Sequence, residues 1–435
     1  MTGLRIREPR GARDEKGIFH RYPGSVGLAL LTCVYVLSFV DRKLPFILIE
    51  AIKSDLDLSD TQIGLMTGVA FTLIYAVAGI PLSIAANRFG RRRIIGCCVI
   101  LWSMLTAAGG LATNFWQLAL ARTGVAIGEA GVVPSAHALI GAYFPEARAK
   151  ALAIFSMGAP IGVLIGLALG GWINDLANWR VAMLVLGLPG IPVAIAVFLL
   201  LREPPSDCSK RPSERRSTAL GDLFGCSTFR HLVAAGALFG CASGATMTFT
   251  PAFAMRSFGL SATQVGVPYG LLVGVAGACG VLLSGYLTDR LRQRDPRWGL
   301  WLICCALIIS VPLHLAAWHA SSFGVMMIAL LIPELFQLYY APPTFSAIQA
   351  VMPARHHAMG SAIFLLFATG VGISLGPFLT GLLSDRLAHL GAGAALGWAL
   401  SALTLIKIWS AAHFAMAASR LPFDIAERER EVDGS

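Results

Sequence analysis

The stretch SFVDRKLPFIL, Ser38 to Leu48, sets Asp41, Arg42 and Lys43 side by side in a run that is otherwise almost wholly apolar. In the core helix of a water-soluble protein, three adjacent charges would be an unexplained cost. In a helix that crosses a bilayer, the cost of about 3 kcal/mol per charge marks such residues as functional by default. The meaning of the stretch therefore turns on its solvent, which the rest of the chain identifies. The 435 residues are 56% hydrophobic and 13% charged, where a soluble protein carries about 25% charged residues. Mean hydropathy is +0.70. This is the composition of an integral membrane protein.

Working outward from Ser38, twelve apolar segments appear, each long enough to cross a hydrocarbon core of about 30 Å at about 20 residues per span. The fold expected is all-α and polytopic: twelve transmembrane helices in two pseudo-symmetric halves of six. The predicted divisions are an N-terminal tail over 1–23, a first bundle over 24–201, a linker over 202–230, a second bundle over 231–418 and a C-terminal tail over 419–435. The first apolar run is too long for the core of a signal peptide and is expected to stay as the first span.

The formal net charge of +10 raises the question of nucleic acid. No basic stripe interleaves with aromatics, so none is expected. Topology explains the charge instead. Of the 34 Lys and Arg residues, 26 fall in the two tails and in every second gap between spans, against Lys53, Arg180, Arg256 and Arg386 in the alternate gaps. By the positive-inside rule both termini and the linker are expected in the cytoplasm. The last four, Arg42, Lys43, Arg122 and Lys407, lie within spans. The nine cysteines include Cys97-Cys98 and Cys304-Cys305 inside apolar runs and show no zinc-binding spacing, so neither metal nor cofactor is expected. The GxSxG match GISLG, Gly372 to Gly376, lies within an apolar span and not at a strand-to-helix turn, and no HExxH or P-loop pattern occurs, which argues against an enzyme; the short external loops argue against a receptor. The absence of any N-x-S/T sequon favours a bacterial inner membrane.

The halves echo each other. SIAANRFGRRR from Ser83 corresponds to SGYLTDRLRQR from Ser284, and FPEARAKALAIF from Phe144 to MPARHHAMGSAIF from Met352. These residues resemble the major facilitator superfamily, whose loop motif reads G-x-x-x-D-R-x-G-R-R/K. Gly285, Asp289 and Arg290 match it in the second half; Arg88, Gly90, Arg91 and Arg92 match in the first, where Ser83 and Asn87 replace its glycine and aspartate. In that family the motif acts as a conformational latch, so Asn87 implies a weaker latch in the first half. A narrower resemblance, to spinster-like transporters, is carried by FVDRKLPFIL, DLDLSDTQIGL, ARTGVAIGEAG and YFPEARAKALAIFSMGAPIG, in that order. It implies that Asp41, Arg42, Arg122, Gly128, Glu129 and Ala130 line a transport path, and that the substrate is a lysolipid or sphingolipid phosphate moved with proton coupling.

The geometry of the spans points to the same constellation. At 1.5 Å per residue, Asp41 and Arg42 lie roughly 12 to 14 Å below the outer end of their span, with Arg122 at about 10 Å and Glu129 at about 21 Å of depth. Arg122 and Glu129 are two turns apart and share a face. Arg42 and Arg122 are expected to bind the anionic head group, and Asp41 and Glu129 to carry protons, because burial disfavours a charged carboxylate while a neighbouring guanidinium favours it. Lys43 is read as snorkelling or as a cap on the outer side. Glu334, Tyr75 and Tyr339 complete the expected substrate-binding set, with Glu334 either facing the site or bonding backbone freed near Pro333. His137 ranks below Glu129 as a proton carrier. Thr246, Thr248 and Thr250 before Pro251 suggest a broken helix, and the stripes GAPIGVLIGLALGG and GVGISLGPFLTG suggest surfaces on which helices approach closely and slide. The whole reads as a monomeric, alternating-access secondary transporter of a small amphiphilic anion, its partners being protons and membrane lipid. Drug efflux or organic-anion transport is the alternative.

Overall fold

The computed structural model describes residues 23–203, 221, 223–337, 339–353 and 356–433, so most of the expected linker and nearly all of the N-terminal tail lie outside the described residues. Among the described residues, twelve helices are long and apolar enough to span a membrane. In the first half they are α1 (Gly24–Leu56), α2 (Asp60–Phe89), α3 (Arg91–Gly109), α4 (Phe115–Tyr143), α5 (Arg148–Leu176) and α6 (Trp179–Leu200). In the second they are α7 (Ser227–Phe258), α8 (Ala262–Leu291), α9 (Trp298–Trp318), α10 (Phe323–Val351), α11 (Met359–Arg386) and α12 (Ala392–Arg430). The end of the bundle at which α6 leaves and α7 enters is called here the linker end, and the opposite one the far end.

Five of the six helix starts at the far end are dictated locally by a side-chain cap. Ser59, Asn114, Asn178, Ser261 and Ser322 accept a hydrogen bond from the N–H three residues on, at the starts of α2, α4, α6, α8 and α10. Such caps satisfy N–H groups that a helix leaves orphaned. At α2 and α8 the cap is a full box, with Gln62 and Gln264 reaching back to the Ser59 and Ser261 N–H. The two boxes come from a repeat, LSDTQIG from Leu58 and LSATQVG from Leu260.

Close packing follows from the small residues. Gly158, Gly162, Gly166 and Gly170 put one face of α5 against α1, where a Cβ at Gly162 would stand 2.4 Å from the Val36 carbonyl oxygen. The next face meets the other half: Gly171 abuts the Ala262 backbone of α8, and Gly266 of α8 abuts the Leu167 carbonyl. The pseudo-symmetric contact pairs α2 with α11, where Gly64 leaves room for the Pro377 carbonyl. Both α2 and α11 also carry a stretch of wider π-type turns, Leu65–Leu73 and Leu366–Ile373, which touch across the interface. The stripes thus bring backbones together without hydrophobic bulk, as small-residue faces do in lipid.

The expected break in α7 does not occur. That helix runs unbroken through Pro251, and the Thr246 and Thr250 hydroxyls turn back onto the Ser243 and Thr246 carbonyls. Interruptions lie instead in α5 at Met157, in α6 at Leu188 and Pro189, and in the fourth helix of each half. α4 changes course at Gly131, between segments Phe115–Ala130 and Val132–Tyr143, and α10 comprises segments Phe323–Phe336 and Ala341–Val351. Glu129 and Glu334 each lie in the last turn of the first segment, one in each half.

Polar ties between the halves gather at the far end. The Asp60 carboxylate accepts from Arg256 Nη1 and Nη2, both at 2.7 Å, from Lys53 Nζ at 2.6 Å and from Ser384 Oγ at 2.6 Å. Arg256 Nε also donates to Glu50 at 2.9 Å. Asp385, at the end of α11, receives the N–H groups of Asp60 and Thr61 at 3.0 and 2.8 Å, and Asp175, at the end of α5, receives those of Ala262 and Thr263 at 3.3 and 2.7 Å.

Candidate functional site

The charges of SFVDRKLPFIL point in different directions because successive residues on a helix are about 100° apart. Arg42 turns toward α4, where its Nε donates to Glu129 Oε2 at 2.5 Å. Ser38, one turn earlier on α1, donates to the same oxygen at 2.9 Å. Glu129 is fully buried, while the Arg42 side chain keeps 20% exposure. Arg42 lies among aromatic rings, with its guanidinium carbon 4.2 Å from the Tyr75 ring centre, 5.3 Å from Phe39 and 5.9 Å from Phe71. The π-type turns of α2 end at Leu73 and so set the phase that carries Phe71 and Tyr75 to this place.

Asp41 turns the other way, into the first half. Its carboxyl faces Trp102 and Thr106 on α3, and the same residue's backbone oxygen accepts from Arg122 Nη1 at 3.2 Å. The Arg122 guanidinium packs over the Phe71 ring at 4.6 Å. Two carboxylates and two guanidiniums thus share one buried locus of zero formal charge. Asp41 Oδ1, Glu129 Oε1, Arg42 Nη2 and Arg122 Nε are nonetheless buried without a hydrogen-bond partner. Buried polar atoms are normally satisfied by protein, water or ligand, so this locus retains unused bonding capacity for both charges.

The structure therefore brings together Asp41, Arg42, Arg122, Glu129 and Tyr75 of the expected set. Tyr339 is not brought there. It packs edge-on to Phe336 in the core of the second half, its carbonyl taking a hydrogen bond from Ser284. Glu334 lies in a separate buried cluster, accepting from the Tyr269 hydroxyl at 3.4 Å, and the charges of Lys43 and Lys407 both act on it. Lys43 neither snorkels nor reaches the surface: it is 5% exposed, with its ammonium 4.9 Å from the Phe46 ring centre. His137 lies edge-on to Phe155. Asn87, Arg88, Asp289 and Arg290 are exposed at the linker end, with Gly90, Arg91 and Gly285 beside them half-buried. There the Arg91 and Arg92 N–H groups donate to the Glu203 carboxylate at 2.6 and 3.0 Å.

Ser38, Phe71, His314 and Lys407, together with the far-end group of Glu50, Asp60, Asp175, Arg256 and Asp385, are absent from the expected site. The repeated LSxTQxG stretch was the signal for the far-end group, since it fixes two matched helix starts at one end. Lys407 could be found as a charge within a span. Ser38 and Phe71 carry no such mark.

Comparison with known proteins identifies the family. The sequence profile of the Major Facilitator Superfamily matches residues 31–377. An MFS-type efflux pump of Mycolicibacterium smegmatis is 36% identical over 93% of this chain and 94% of its own length. Human protein spinster homolog 1 is 26% identical over 84% of this chain and 74% of its own. Among solved structures, a bacterial homologue of the human lysosomal transporter spinster, in an inward-facing and unoccupied conformation, superposes with a TM-score of 0.82 at 28% identity, covering 93% of this chain and 98% of that one.

Proposed function

The chain belongs to the major facilitator superfamily, and on that premise we propose that it is a proton-coupled transporter of an amphiphilic anion, such as a lysolipid or a sphingolipid phosphate. The observation that carries this reading is the Arg42–Glu129 pair. Arg42 alone of the four charges is partly exposed, and a guanidinium presents a planar fork suited to phosphate or carboxylate. Glu129 occupies that fork through one oxygen, with Nη2 left over. An incoming anion takes the fork and displaces Glu129. A carboxylate left without its counter-ion in a buried site is costly, so it takes a proton. Anion and proton then load together, Ser38 holding the carboxyl, while Phe39, Phe71 and Tyr75 form apolar and cation–π walls around the head group. Arg122 steadies α1 through the Asp41 carbonyl and leaves Asp41 as the second carboxyl able to take a proton.

The charge distribution along the chain supports a cytoplasmic linker end, with both termini on that side of a bacterial inner membrane. The clustering of polar ties at the far end supports a conformation closed there and open to the cytoplasm. Alternating access then requires the far-end ties to break while the linker end, with Asn87, Arg88, Gly90 and Arg91 in one half and Gly285, Asp289 and Arg290 in the other, closes as a latch.

The test is binding and uptake in proteoliposomes with lysolipids, sphingoid phosphates and organic acids, with and without a pH gradient. Arg42→Ala is expected to weaken anion binding by roughly 100-fold with little effect on folding, and Arg42→Lys to restore little of it, because one charge without the fork does not replace two parallel bonds. Full affinity in Arg42→Ala would remove the residue from the site. The M. smegmatis relative favours a second reading, export of drug-like compounds; transport of uncharged or cationic compounds that is indifferent to Arg42→Ala would select it.

A further inference from the structure

The second half holds a buried charge cluster that the Arg42–Glu129 pair does not use. Glu334 lies in the last turn of the first segment of α10 as Glu129 lies in the last turn of the first segment of α4, so the fourth helix of each half carries a buried carboxylate. Glu334 is 6% exposed and its one hydrogen bond among the described residues is the long one from Tyr269 at 3.4 Å. Two buried lysines lie within electrostatic reach of it without closing an ion pair among the described residues: Lys43 from α1 of the first half and Lys407 from α12 of the second. Lys407 is 1% exposed, and its Nζ lies 3.4 Å from His314 Nε2. His314 Nδ1 stands 2.8 Å from the Ser310 carbonyl, which can only accept, so Nδ1 carries the ring proton and Nε2 offers its lone pair to Lys407. Lys43 has no hydrogen-bond or ion-pair partner among the described residues and rests against Phe46.

With both lysines charged, two cations share one carboxylate and the cluster is one negative charge short. Burial of an unmatched cation is costly. We propose that Lys43 and Lys407 form a second anion seat, that Glu334, held by the Tyr269 hydroxyl, occupies it as a tethered competitor, and that a second carboxylate or phosphate on the substrate displaces it. This rests on the anion-transport reading above and narrows its substrate class to compounds with two anionic groups, such as a lysolipid whose head group carries a carboxylate beside its phosphate. It also gives the two halves one design, a carboxylate on the fourth helix sitting where a substrate anion sits. Because Lys43 and Glu334 belong to opposite halves, filling the seat alters a contact that the rocking of the halves must change.

The inference predicts opposite signs for opposite charges. Binding is measured on the purified full chain with two pairs of probes, gluconate against glucarate for a sugar acid and pentadecanoate against dodecylsuccinate for an amphiphile; each pair differs by one carboxylate. The wild type should favour the two-carboxylate member of the pair it accepts by roughly tenfold, and Lys43→Gln and Lys407→Gln should abolish that preference. Glu334→Gln should tighten the two-carboxylate member by roughly tenfold, since removing a competitor that fills the seat nine-tenths of the time restores the intrinsic affinity. Tyr269→Phe, which loosens Glu334 with no change of charge, should shift affinity the same way by less, and stands in for Glu334→Gln should that variant not fold. Unchanged preference in Lys43→Gln, or weaker binding in Glu334→Gln or Tyr269→Phe, overturns the second seat. If Arg42→Ala still abolishes binding in that case, the transport reading survives; no saturable binding of any probe to the wild type removes both.

Discussion

Asp175 and Asp385 hold the same office in the two halves: each ends the fifth helix of its own half and accepts the first backbone N–H groups of the second helix of the other. The start of a helix carries a partial positive charge and unpaired donors, so a carboxylate placed there is held by both. Rocking that opens the far end must pull both aspartates off. The far-end state is therefore held by two equivalent ties, reinforced on one side by Arg256 bridging Glu50 and Asp60.

Asp385→Asn should weaken one tie by about 1–2 kcal/mol, enough to move the balance between the closed and open far end by roughly tenfold. Asp175→Asn should act in the same direction but less, because no counterpart of the Asp60–Ser384 bond accompanies it. Accessibility of single cysteines at the far end, or distances between spin labels there, reads the shift. An Asp385→Asn protein as closed as the wild type would show that the carboxylate caps α2 without governing the state.

Gly162 tests whether α5 needs its small face. The Val36 carbonyl lies where a side chain would begin, so Gly162→Leu must push α5 away from α1. Loss of stability by roughly 1–3 kcal/mol is expected, the usual scale of overpacking, seen as a lower midpoint of thermal unfolding in detergent. Ser at the same position should fall between the two.

Glu203 supplies at the linker end what Asn87 lacks. It accepts from the Arg91 and Arg92 N–H groups, while Gly90, at φ 95°, takes a turn that other residues resist. Glu203→Ala should uncap α3 and lower the thermal midpoint by a few degrees, whereas Asn87→Asp, bringing a second carboxylate to the same helix start, should partly rescue it. Failure of any rescue would assign Asn87 no share in this cap.

The parts of the site that were legible in the sequence were those whose cost is visible without a partner. A charge in an apolar run is such a case, and Asp41, Arg42, Arg122 and Glu129 meet in one locus. The partner of each charge was not legible, since Arg42 bonds Glu129 through its side chain while Arg122 bonds only the backbone of Asp41. Tyr339 misled for a local reason: it lies between the two segments of α10, where depth counted along one straight helix loses its phase. Pro251 misled in the opposite sense, because α7 absorbs it without a break. Lys43 departs from the habit of lysine to snorkel or to cap a site from outside, because α1 and α5 pack closely there, with Gly166 of α5 against its Cβ.

Proton coupling on this reading turns on the Arg42–Glu129 pair, and Glu129 is where it is tested. If an anion binds Arg42 by displacing Glu129, and the freed carboxyl takes a proton, then the two ligands help each other: anion affinity in the wild type should rise as pH falls. Glu129→Gln removes the competitor and the proton site at once. It should bind anion at least as tightly as the wild type, lose the pH dependence of that binding, and exchange anion across the membrane by counterflow while failing to accumulate it against a pH gradient. One proton moved through a field of 100 mV carries about 2.3 kcal/mol, so the lost accumulation is large enough to read. Asp41→Asn should retain anion binding, as its carboxyl makes no bond to Arg42, and any loss of gradient-driven uptake in it would place a second titrating group behind the first. The decisive comparison is counterflow against gradient-driven uptake in the same vesicles. Should Glu129→Gln keep full pH-driven accumulation, the pair with Arg42 serves packing or substrate binding alone, and the coupling carboxyl must be Asp41 or Glu334.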